Sequence, residues 1–444
     1  MSNQPKLLFL AYRFPPVNTS GSVRSWNIAK YLARCGWKVT VVTPHPSLWR
    51  RPERPERISA ELRREGIGRI LTGHRWRVLS PDHLNCWNRN LGWFAGGLCR
   101  SIARYCFIEK EIGWNKEVEN SCAIIAAQEV DLVLATGTPF SSFRLAKHLA
   151  DRFRCPYVLD YRDSWTQNPH VARSTRNSTI DEERRLLAGS RAVTMVSHSL
   201  AESLDRRFCL GSKLHVIPNG YDREEMQSIQ PYHFGHFAMV YAGTFYPPKR
   251  VITPVMHALK LLDECPMTKA RDWRFHYYGP HGDHVQEEAS RFGLVKRVVL
   301  HGWVSRSETL SAIRGADVAV VITSVKKERT LEDSGIVTAK IFEALGLRVP
   351  ILLIAPPKSD VEAIIKSAGL AGIFGGDNIE GIVKFLQDGM HGRFPQAKHL
   401  ENYAWENIVK NLDHVLRQGI VETRASIATR LWKSKTVPVL QRDW

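Results

Sequence analysis

The 444-residue sequence predicts an α/β fold of two Rossmann-like, doubly wound parallel-sheet domains that face each other across a cleft. Short apolar runs, typical of buried strands, alternate with helical patterns along most of the chain, and this alternation indicates parallel sheets. The alternation stops in a polar segment, residues 222–236, and restarts at Phe237. The chain therefore divides into two halves rather than forming one long sheet.

The clearest part of this pattern is at the start of the chain. The apolar run at residues 6–11 predicts a strand, and a loop rich in proline, glycine and serine follows it. Ile28 and Leu32 recur at helical spacing, and Gly36 ends that helix before a second apolar run at residues 37–43. This order predicts a βαβ unit with a right-handed crossover.

Further apolar runs predict the remaining strands. They lie at residues 131–135, 157–160, 192–197 and 214–218, and at 237–243, 273–279, 298–301, 316–323, 349–354 and 371–374. Residues 50–75, rich in arginine and glutamate, are expected to form loop and surface helix. The predicted division is an N-terminal domain at 1–220, a linker at 221–236, a C-terminal domain at 237–400 and a terminal helix with a basic tail at 401–444.

The composition is strongly basic, with 62 lysines and arginines against 44 aspartates and glutamates and a formal net charge of +18. This balance favours acidic partners such as phosphorylated substrates, anionic lipid or nucleic acid, and a solvated basic surface is the alternative.

The eight cysteines form no CxxC pair, which argues against a zinc ribbon and is typical of reduced intracellular thiols. The apolar run at residues 7–11 is too short for a secretory signal, and no stretch approaches the ~20 apolar residues that span a bilayer, so we expect a cytoplasmic protein.

Two polar segments of the first half are candidate binding sites, because ligands bind at the carboxyl ends of parallel strands. Ser20, Gly21 and Ser22 lie between the first strand and helix, where a glycine and a helix N-terminus favour an anion, and Arg24 follows on that helix. The alternative is a glycine that serves only the turn and an arginine on the surface.

The second segment, residues 160–165, follows a buried strand and is expected at the rim of the cleft. Asp163 is a candidate to bind an acceptor hydroxyl and Arg162 to bind its phosphate, and an internal ion pair is the alternative. His198 follows another strand, at a position where a histidine is more often structural than catalytic.

In the second half, two adjacent cations follow a strand end. The strand ends at Gly243, and Lys249 and Arg250 come after a proline turn. A diphosphate leaving group needs positive charge at this kind of position. A solvated charged loop is the alternative.

A third candidate lies in a later helix of that half. Ser334 is expected to cap the helix, and Lys340 and Glu343 are three residues apart and share a helix face. Glu343 is a candidate acceptor for ribose hydroxyls. A surface lysine–glutamate pair is the alternative.

The order of these motifs is similar to that of the retaining glycosyltransferases of family 4, which have the GT-B fold. The matching segments are Phe14-Pro15-Pro16 with Gly21 and Arg24, residues 36–43, 159–165 (DxRDxW), 217–222 (IPNGxD), 301–304 (HGxV), 315–318 (ADV) and 340–350 (KxFEYLAxGxP). The resemblance covers roughly residues 6–415.

The resemblance implies that Gly21 approaches a donor diphosphate, that Lys249 and Arg250 neutralise it and that Glu343 holds the ribose. It implies that residues 401–416 return to the N-terminal domain. The catalytic residues predicted in this way are Lys249, Arg250 and Glu343. The donor-binding residues are Gly21, Gly243, Thr244, Ser334, Gly335, Lys340 and Glu343, and the acceptor-side residues are Ser20, Arg24, Arg162, Asp163 and His198.

Two positions depart from the family pattern. Gly335 stands where many members carry the first glutamate of an E-x7-E motif, which leaves the donor sugar open and makes an inactive scaffold an alternative. Thr244 stands where members carry an arginine, so the positive charge at the diphosphate falls on Lys249 and Arg250.

The sequence therefore predicts an enzyme that moves a sugar from a nucleotide-sugar co-substrate to a glycan or lipid-linked acceptor, with retention of configuration and without a metal or other cofactor. Cell-surface polysaccharide assembly is the expected setting. The alternatives are a non-hydrolysing sugar-nucleotide epimerase and a basic nucleic-acid-binding protein. No nucleic-acid recognition motif is found, so no nucleic-acid partner is expected.

One further segment concerns membranes. Residues 87–108 mix tryptophan and phenylalanine with arginine, a composition that suits an anionic lipid surface. A packed helix with a solvated face is the alternative. The inner face of the plasma membrane is accordingly a candidate peripheral location.

Overall fold

The computed structural model describes residues 4–17, 19–49, 55–74, 112–121, 124–125, 129–168, 177–269, 271–326, 330–369 and 372–435. The chain divides into two compact units. Unit 1 comprises Met1–Met195, Arg207–Ile217 and Val409–Trp444, and unit 2 comprises Val196–Arg206 and Pro218–Ile408. The segment at residues 87–108, predicted to contact lipid, lies outside the described residues.

Unit 1 is built on a parallel sheet that has seven strands among its described residues, in the order β3-β2-β1-β4-β5-β6-β7. The strands are β1 (Lys6–Leu10), β2 (Lys38–Pro44), β3 (Gly68–Thr72), β4 (Leu132–Gly137), β5 (Tyr157–Tyr161), β6 (Ala192–Met195) and β7 (Leu214–Val216). Its helices are α1 (Ser20–Arg34), α2 (Pro55–Arg64), α3 (Ile112–Asn120), α4 (Ser141–Phe153) and α5 (Asn177–Gly189). The strand order reverses between β1 and β4, which is the switch point of a doubly wound sheet.

Unit 2 repeats this plan, with six strands described in the order β10-β9-β8-β11-β12-β13. The strands are β8 (Phe237–Ala242), β9 (Trp273–Tyr278), β10 (Val298–Gly302), β11 (Val318–Ile322), β12 (Ile351–Ile354) and β13 (Ile373–Phe374). The helices after β6 are α6 (His198–Phe208), α7 (Arg223–Ser228), α8 (Thr253–Glu264), α9 (Pro266–Lys269), α10 (Gly282–Arg291), α11 (Arg306–Gly315), α12 (Leu331–Ser334), α13 (Ala339–Leu347), α14 (Asp360–Ser367), α15 (Ile379–Met390) and α16 (Trp405–Lys435). Both faces of this sheet are covered by buried apolar side chains. The predicted α/β class with two doubly wound parallel sheets is confirmed.

Local signals account for the start of α1. The Thr19 hydroxyl accepts a hydrogen bond from the backbone N–H of Ser22, and the Ser22 hydroxyl accepts one from the N–H of Thr19. This reciprocal cap satisfies two of the donors that a helix start leaves open. Gly36, with φ of 87°, follows the end of the helix, as its position in the sequence predicts.

Two parts of the chain differ from the expectation. Residues 50–75 were expected to form loop and helix, but they also contribute β3, an edge strand whose five residues carry too short an apolar pattern to be recognised. The expected linker contains α7, which belongs to unit 2. Asp222 caps it by accepting hydrogen bonds from the N–H groups of Glu224 and Glu225 at 3.0 and 3.2 Å, and Met226 is buried in the core. A six-residue helix is too short to show a helical period in sequence.

The terminal helix α16 belongs to unit 1 from Val409 onward. There the Nε1 of Trp37 donates a hydrogen bond of 2.6 Å to Asp413, and Arg417 donates to the carbonyl of Cys35 at 2.8 Å. Among the helices that the structure describes, none has the length and apolar composition required to cross a membrane.

Candidate functional site

The strongest candidate site is in unit 2, where β8 is followed by a glycine that has no room for a side chain. Gly243 has φ of 144°, a conformation that L-residues rarely adopt. A Cβ at this position would overlap the Nζ of Lys340. The ammonium of Lys340 therefore lies directly against the backbone at the carboxyl end of β8.

Lys340 lies in the first turn of α13. Thr338, not Ser334, is the N-cap of this helix. The Nζ lies 6.0 Å from the centroid of the Tyr241 ring, and burial lowers the pKa of Lys340 to about 8, with the nearby charge of Arg250 acting in the same direction. A half-buried ammonium of this kind favours a bound anion, because the anion would replace the lost hydration.

Lys249 and Arg250 lie in the turn after β8. The backbones of Tyr246 and Arg250 exchange two hydrogen bonds of 2.9 Å, which close the turn. The Nζ of Lys249 lies 2.6 Å from an oxygen of Asp333, while Arg250 stacks on the Tyr246 ring at 5.3 Å. The Nε of Arg250 is buried and has no hydrogen-bond partner among the described residues. The turn thus holds one cation that is paired with a carboxylate and one that has donor capacity to spare.

Thr244 lies in the same turn, and its carbonyl accepts a hydrogen bond of 3.2 Å from the Tyr241 hydroxyl. This hydrogen bond holds the Tyr241 ring, over which the Lys340 ammonium lies. The Thr244 carbonyl therefore already has a hydrogen-bond donor.

Glu343 lies one turn along α13 from Lys340, and its carboxylate is already paired. One oxygen accepts a hydrogen bond from the Nη1 of Arg306. The guanidinium of Arg306 also donates to both oxygens of Glu225, from Nε at 3.0 Å and from Nη2 at 3.1 Å. Burial opposes the charge of Arg306, but Glu343 and Glu225 together raise the pKa of Arg306 above its ordinary value.

The prediction that Ser334 caps the helix of Lys340 is wrong, and the neighbouring Gly335 is closely packed. Ser334 is the last residue of α12, it is buried, and its hydroxyl donates to the carbonyl of Thr330 at 3.0 Å. At Gly335 a Cβ would lie 2.9 Å from the backbone nitrogen of Leu200 in α6. The backbone of α6 therefore occupies the space that a glutamate at position 335 would need.

In unit 1, the N-terminus of α1 is packed against an arginine. Ser20 is exposed, and Gly21 is the second residue of the helix rather than part of a loop. A Cβ on Gly21 would overlap the Nη1 of Arg162. The other guanidinium nitrogens of Arg162 donate to the carbonyls of Gly137 and Thr138, each at 2.6 Å. Arg162 is thus held by backbone carbonyls, with Nη1 against Gly21.

Arg24 was predicted to lie on the acceptor side, but the structure buries it in an ion pair with Asp160. Its side chain is only 1% exposed, and it donates to both oxygens of Asp160, at 3.0 and 2.7 Å, and to the carbonyl of Ile217 at 3.0 Å. Thr136 and Thr194 also donate to Asp160. A guanidinium committed to a buried carboxylate in this way is not available to an external anion.

The remaining acceptor-side candidates are exposed. Asp163 is exposed on the loop after β5, and His198 is exposed as the first residue of α6. His198 belongs to unit 2 in the structure. Asp163 and Arg162 belong to unit 1.

Arg306 donates a hydrogen bond to Glu343 and Glu183 accepts one from Tyr161, but neither residue was predicted from the sequence. Glu183 is fully buried on α5 and accepts hydrogen bonds from the hydroxyls of Thr166 and Tyr161, on either side of Asp163. Its spacing from buried Leu186 and Leu187 is a helical signal that the sequence does contain. For Arg306 no local pattern distinguishes it from other charged residues.

Residues 21–220 match the family model described as a glycosyl transferase 4-like domain. A search by sequence against curated proteins gave no significant match.

Solved structures match along most of the chain. Sucrose-phosphate synthase from Thermosynechococcus elongatus is 12% identical with a TM-score of 0.58, over 97% of this chain and all of that chain. A TarM variant from S. aureus, in complex with fondaparinux, α-GlcNAc-glycerol and UDP, is 11% identical with a TM-score of 0.57, over 93% and 99% of the two chains. HepE from Anabaena in complex with UDP is 14% identical with a TM-score of 0.52, over 96% and 100%. At these identities the likeness shows the fold.

Proposed function

We propose that this chain, whose residues 21–220 match the glycosyl transferase 4-like domain model, transfers a sugar from a nucleotide-sugar donor to an acceptor hydroxyl with retention of configuration. Support for the proposal comes from the fold, since each of the two units has the parallel-sheet α/β architecture of the GT-B fold. The observation that carries the proposal is the group of cations at the end of β8, with a carboxylate one helical turn beyond it.

The cations suit a diphosphate. Lys340 lies against Gly243, and Arg250 is close enough that its charge contributes to the lowered pKa of Lys340. Lys249 lies in the same turn as Arg250. Cleavage of a nucleotide sugar places developing negative charge on the departing diphosphate, and fixed cations stabilise that charge in the transition state.

The spacing along α13 suits the rest of a nucleotide. Glu343 is three residues after Lys340, about 4.5 Å along the helix axis and on the same face. A diphosphate at the ammonium and a ribose at the carboxylate are neighbouring groups of one nucleotide. The UDP bound in the TarM and HepE structures makes UDP the first nucleotide to test.

The reaction requires no protein nucleophile. The acceptor oxygen forms a bond to the anomeric carbon on the face that the nucleotide leaves, the bond from that carbon to the diphosphate oxygen breaks, and this oxygen takes the acceptor proton. The protein positions the two substrates and stabilises the leaving group. Lysine and arginine supply the positive charge, so the proposal includes no metal.

The acceptor is the less constrained substrate. We assign it to unit 1, where the exposed Asp163 is a candidate to accept a hydrogen bond from the acceptor hydroxyl. The net charge of +18 favours a glycan that is linked to lipid at an anionic membrane surface, as in cell-surface polysaccharide assembly. Flotation with vesicles of anionic or neutral lipid tests this part, and equal binding to both would contradict it.

The first experiment is a thermal-shift screen of UDP-, GDP- and ADP-sugars, followed by product analysis with the sugar that stabilises the protein. We expect stabilisation by one nucleotide class and transfer only when an acceptor is supplied. Conversion of the donor into an isomer without acceptor would overturn the proposal in favour of an epimerase. The absence of stabilisation by all three classes would also overturn it.

A further inference from the structure

The charged group around Glu343 joins three helices of unit 2. Arg306 is the first residue of α11, Glu225 lies on α7, and Glu343 lies on α13. The arginine donates through one edge to both oxygens of Glu225 and through Nη1 to Oε1 of Glu343. No partner for Oε2 of Glu343 is found among the described residues. One oxygen of the carboxylate is therefore held and the other is open.

Close packing between these helices restricts their movement relative to one another. Gly346 of α13 lies under Tyr221 and Met226, and a Cβ there would lie 2.6 and 2.7 Å from their side-chain atoms. Ser305 caps α11 with a reciprocal pair of hydrogen bonds to Glu308, which fixes the backbone of the adjacent Arg306. The Arg306 side chain is 20% exposed and that of Glu343 is 14% exposed, so water screens the pair only in part.

The three hydrogen bonds of Arg306 need the planar guanidinium of an arginine. A planar guanidinium binds one carboxylate with two parallel hydrogen bonds and still presents a nitrogen to another group, whereas a lysine ammonium is a single point charge. Glu225 therefore sets the plane of Arg306, and Arg306 in turn sets the orientation of the Glu343 carboxylate.

The orientation of the Glu343 carboxylate also matters for the charge of Lys340. Glu343 lies one helical turn from Lys340, and its negative charge acts on the pKa of Lys340. Without Arg306 the carboxylate would turn toward the lysine ammonium, which is the nearest other cation on its helix. Such a pair would neutralise the lysine and withdraw the carboxylate from a nucleoside.

We propose that Arg306, held by Glu225, is a positioning residue that keeps Oε2 of Glu343 directed at the ribose hydroxyls of the donor. This inference rests on the proposed function. It adds two residues, one from the segment expected to be a linker and one from the start of α11, to the nucleoside side of the site.

The test compares a nucleotide that has ribose hydroxyls with one that lacks them. The wild-type chain and the variants Arg306→Met, Arg306→Lys and Glu225→Gln are titrated calorimetrically with UDP and with 2′,3′-dideoxy-UDP, or with the GDP or ADP pair if that nucleotide binds. Arg297→Met is the matched control, because Arg297 also contacts two carboxylates, Asp263 and Asp272, and is 23% exposed, but it precedes β10.

We expect Arg306→Met to weaken UDP binding about tenfold or more while binding of the dideoxy nucleotide changes by less than twofold. Arg306→Lys and Glu225→Gln are expected to lose part of the UDP affinity, and they serve as milder variants if Arg306→Met folds poorly. Equal losses for both nucleotides, or no loss in any variant, would overturn the inference and leave the proposed function intact. If the wild-type chain binds none of the three nucleoside diphosphates, the proposed function fails first.

Discussion

The ammonium of Lys340 occupies the space where a side chain on Gly243 would begin. Gly243 also has φ of 144°, so the glycine serves both the backbone conformation and the close approach of the lysine. The relationship joins the end of β8 to the start of α13, and it locates the positive charge of the candidate site.

Substitution of Gly243 by alanine should displace Lys340. We expect a loss of stability of roughly 1–3 kcal/mol from backbone strain and a loss of nucleoside diphosphate affinity of about tenfold. Calorimetric titration and thermal unfolding measure the two effects. Gly293→Ala is the matched control, since Gly293 has φ of 74° but no atom within 4 Å of its Cβ position. Unchanged nucleotide affinity in Gly243→Ala would contradict the assignment.

Lys249 and Arg250 should both contribute to turnover. Each single alanine variant is expected to lower the rate of transfer at least tenfold with folding intact, because the departing diphosphate loses a cation. Steady-state assays of the single and double variants measure this, with Lys260→Ala, an exposed lysine of α8, as the control. Near-normal turnover in the singles and in the double variant would remove these residues from the donor site.

The charge of Lys340 should make donor binding depend on pH. Burial lowers the pKa of Lys340 to about 8, so the ammonium is lost as the pH rises through that value. We expect the affinity of the wild-type chain for nucleoside diphosphate to fall between pH 7 and pH 9, and the affinity of Lys340→Arg to fall much less, because arginine stays charged. Binding titrations of both proteins across this range provide the test. Parallel pH profiles for the two proteins would show that another group is responsible.

Glu183 should make the free energy of unfolding depend on pH, over a more acidic range than the one in which Lys340 titrates. Burial raises the pKa of Glu183 to about 7 from its ordinary 4.5, against hydrogen bonds from Thr166 and Tyr161 that lower it. The folded state therefore binds the proton more tightly, and the free energy of unfolding falls by about 3 kcal/mol as the pH rises from 4.5 to 7.

Glu183→Gln removes this titration. We expect its stability relative to the wild-type chain to rise between pH 5 and pH 7 and then to stay level, as measured by urea unfolding at a series of pH values. Glu182→Gln is the control, since Glu182 pairs with Arg144 on the exposed side of the same helix. A stability difference that is the same at every pH would contradict the assignment.

The sequence by itself determined the architecture and the position of the cations. Strands covered on both faces need continuous apolar runs, and the alternation of these runs with helical periods predicts the two parallel sheets that the structure contains. Gly243, Lys249 and Arg250 could be placed after a strand from the sequence, and the end of a parallel strand is where ligand sites form. The edge strand β3 and the short helix α7 were missed because their patterns are too short.

Only the tertiary structure decided which charges meet. Arg24 pairs with Asp160, 136 residues away, and Arg306 joins Glu225 and Glu343, 81 and 37 residues away. The close approach of Leu200 to Gly335 is likewise visible only in the fold. Residue spacing determines the face of a strand or helix on which a side chain lies, but the partner that it meets depends on how distant segments pack, and no local pattern encodes that distance.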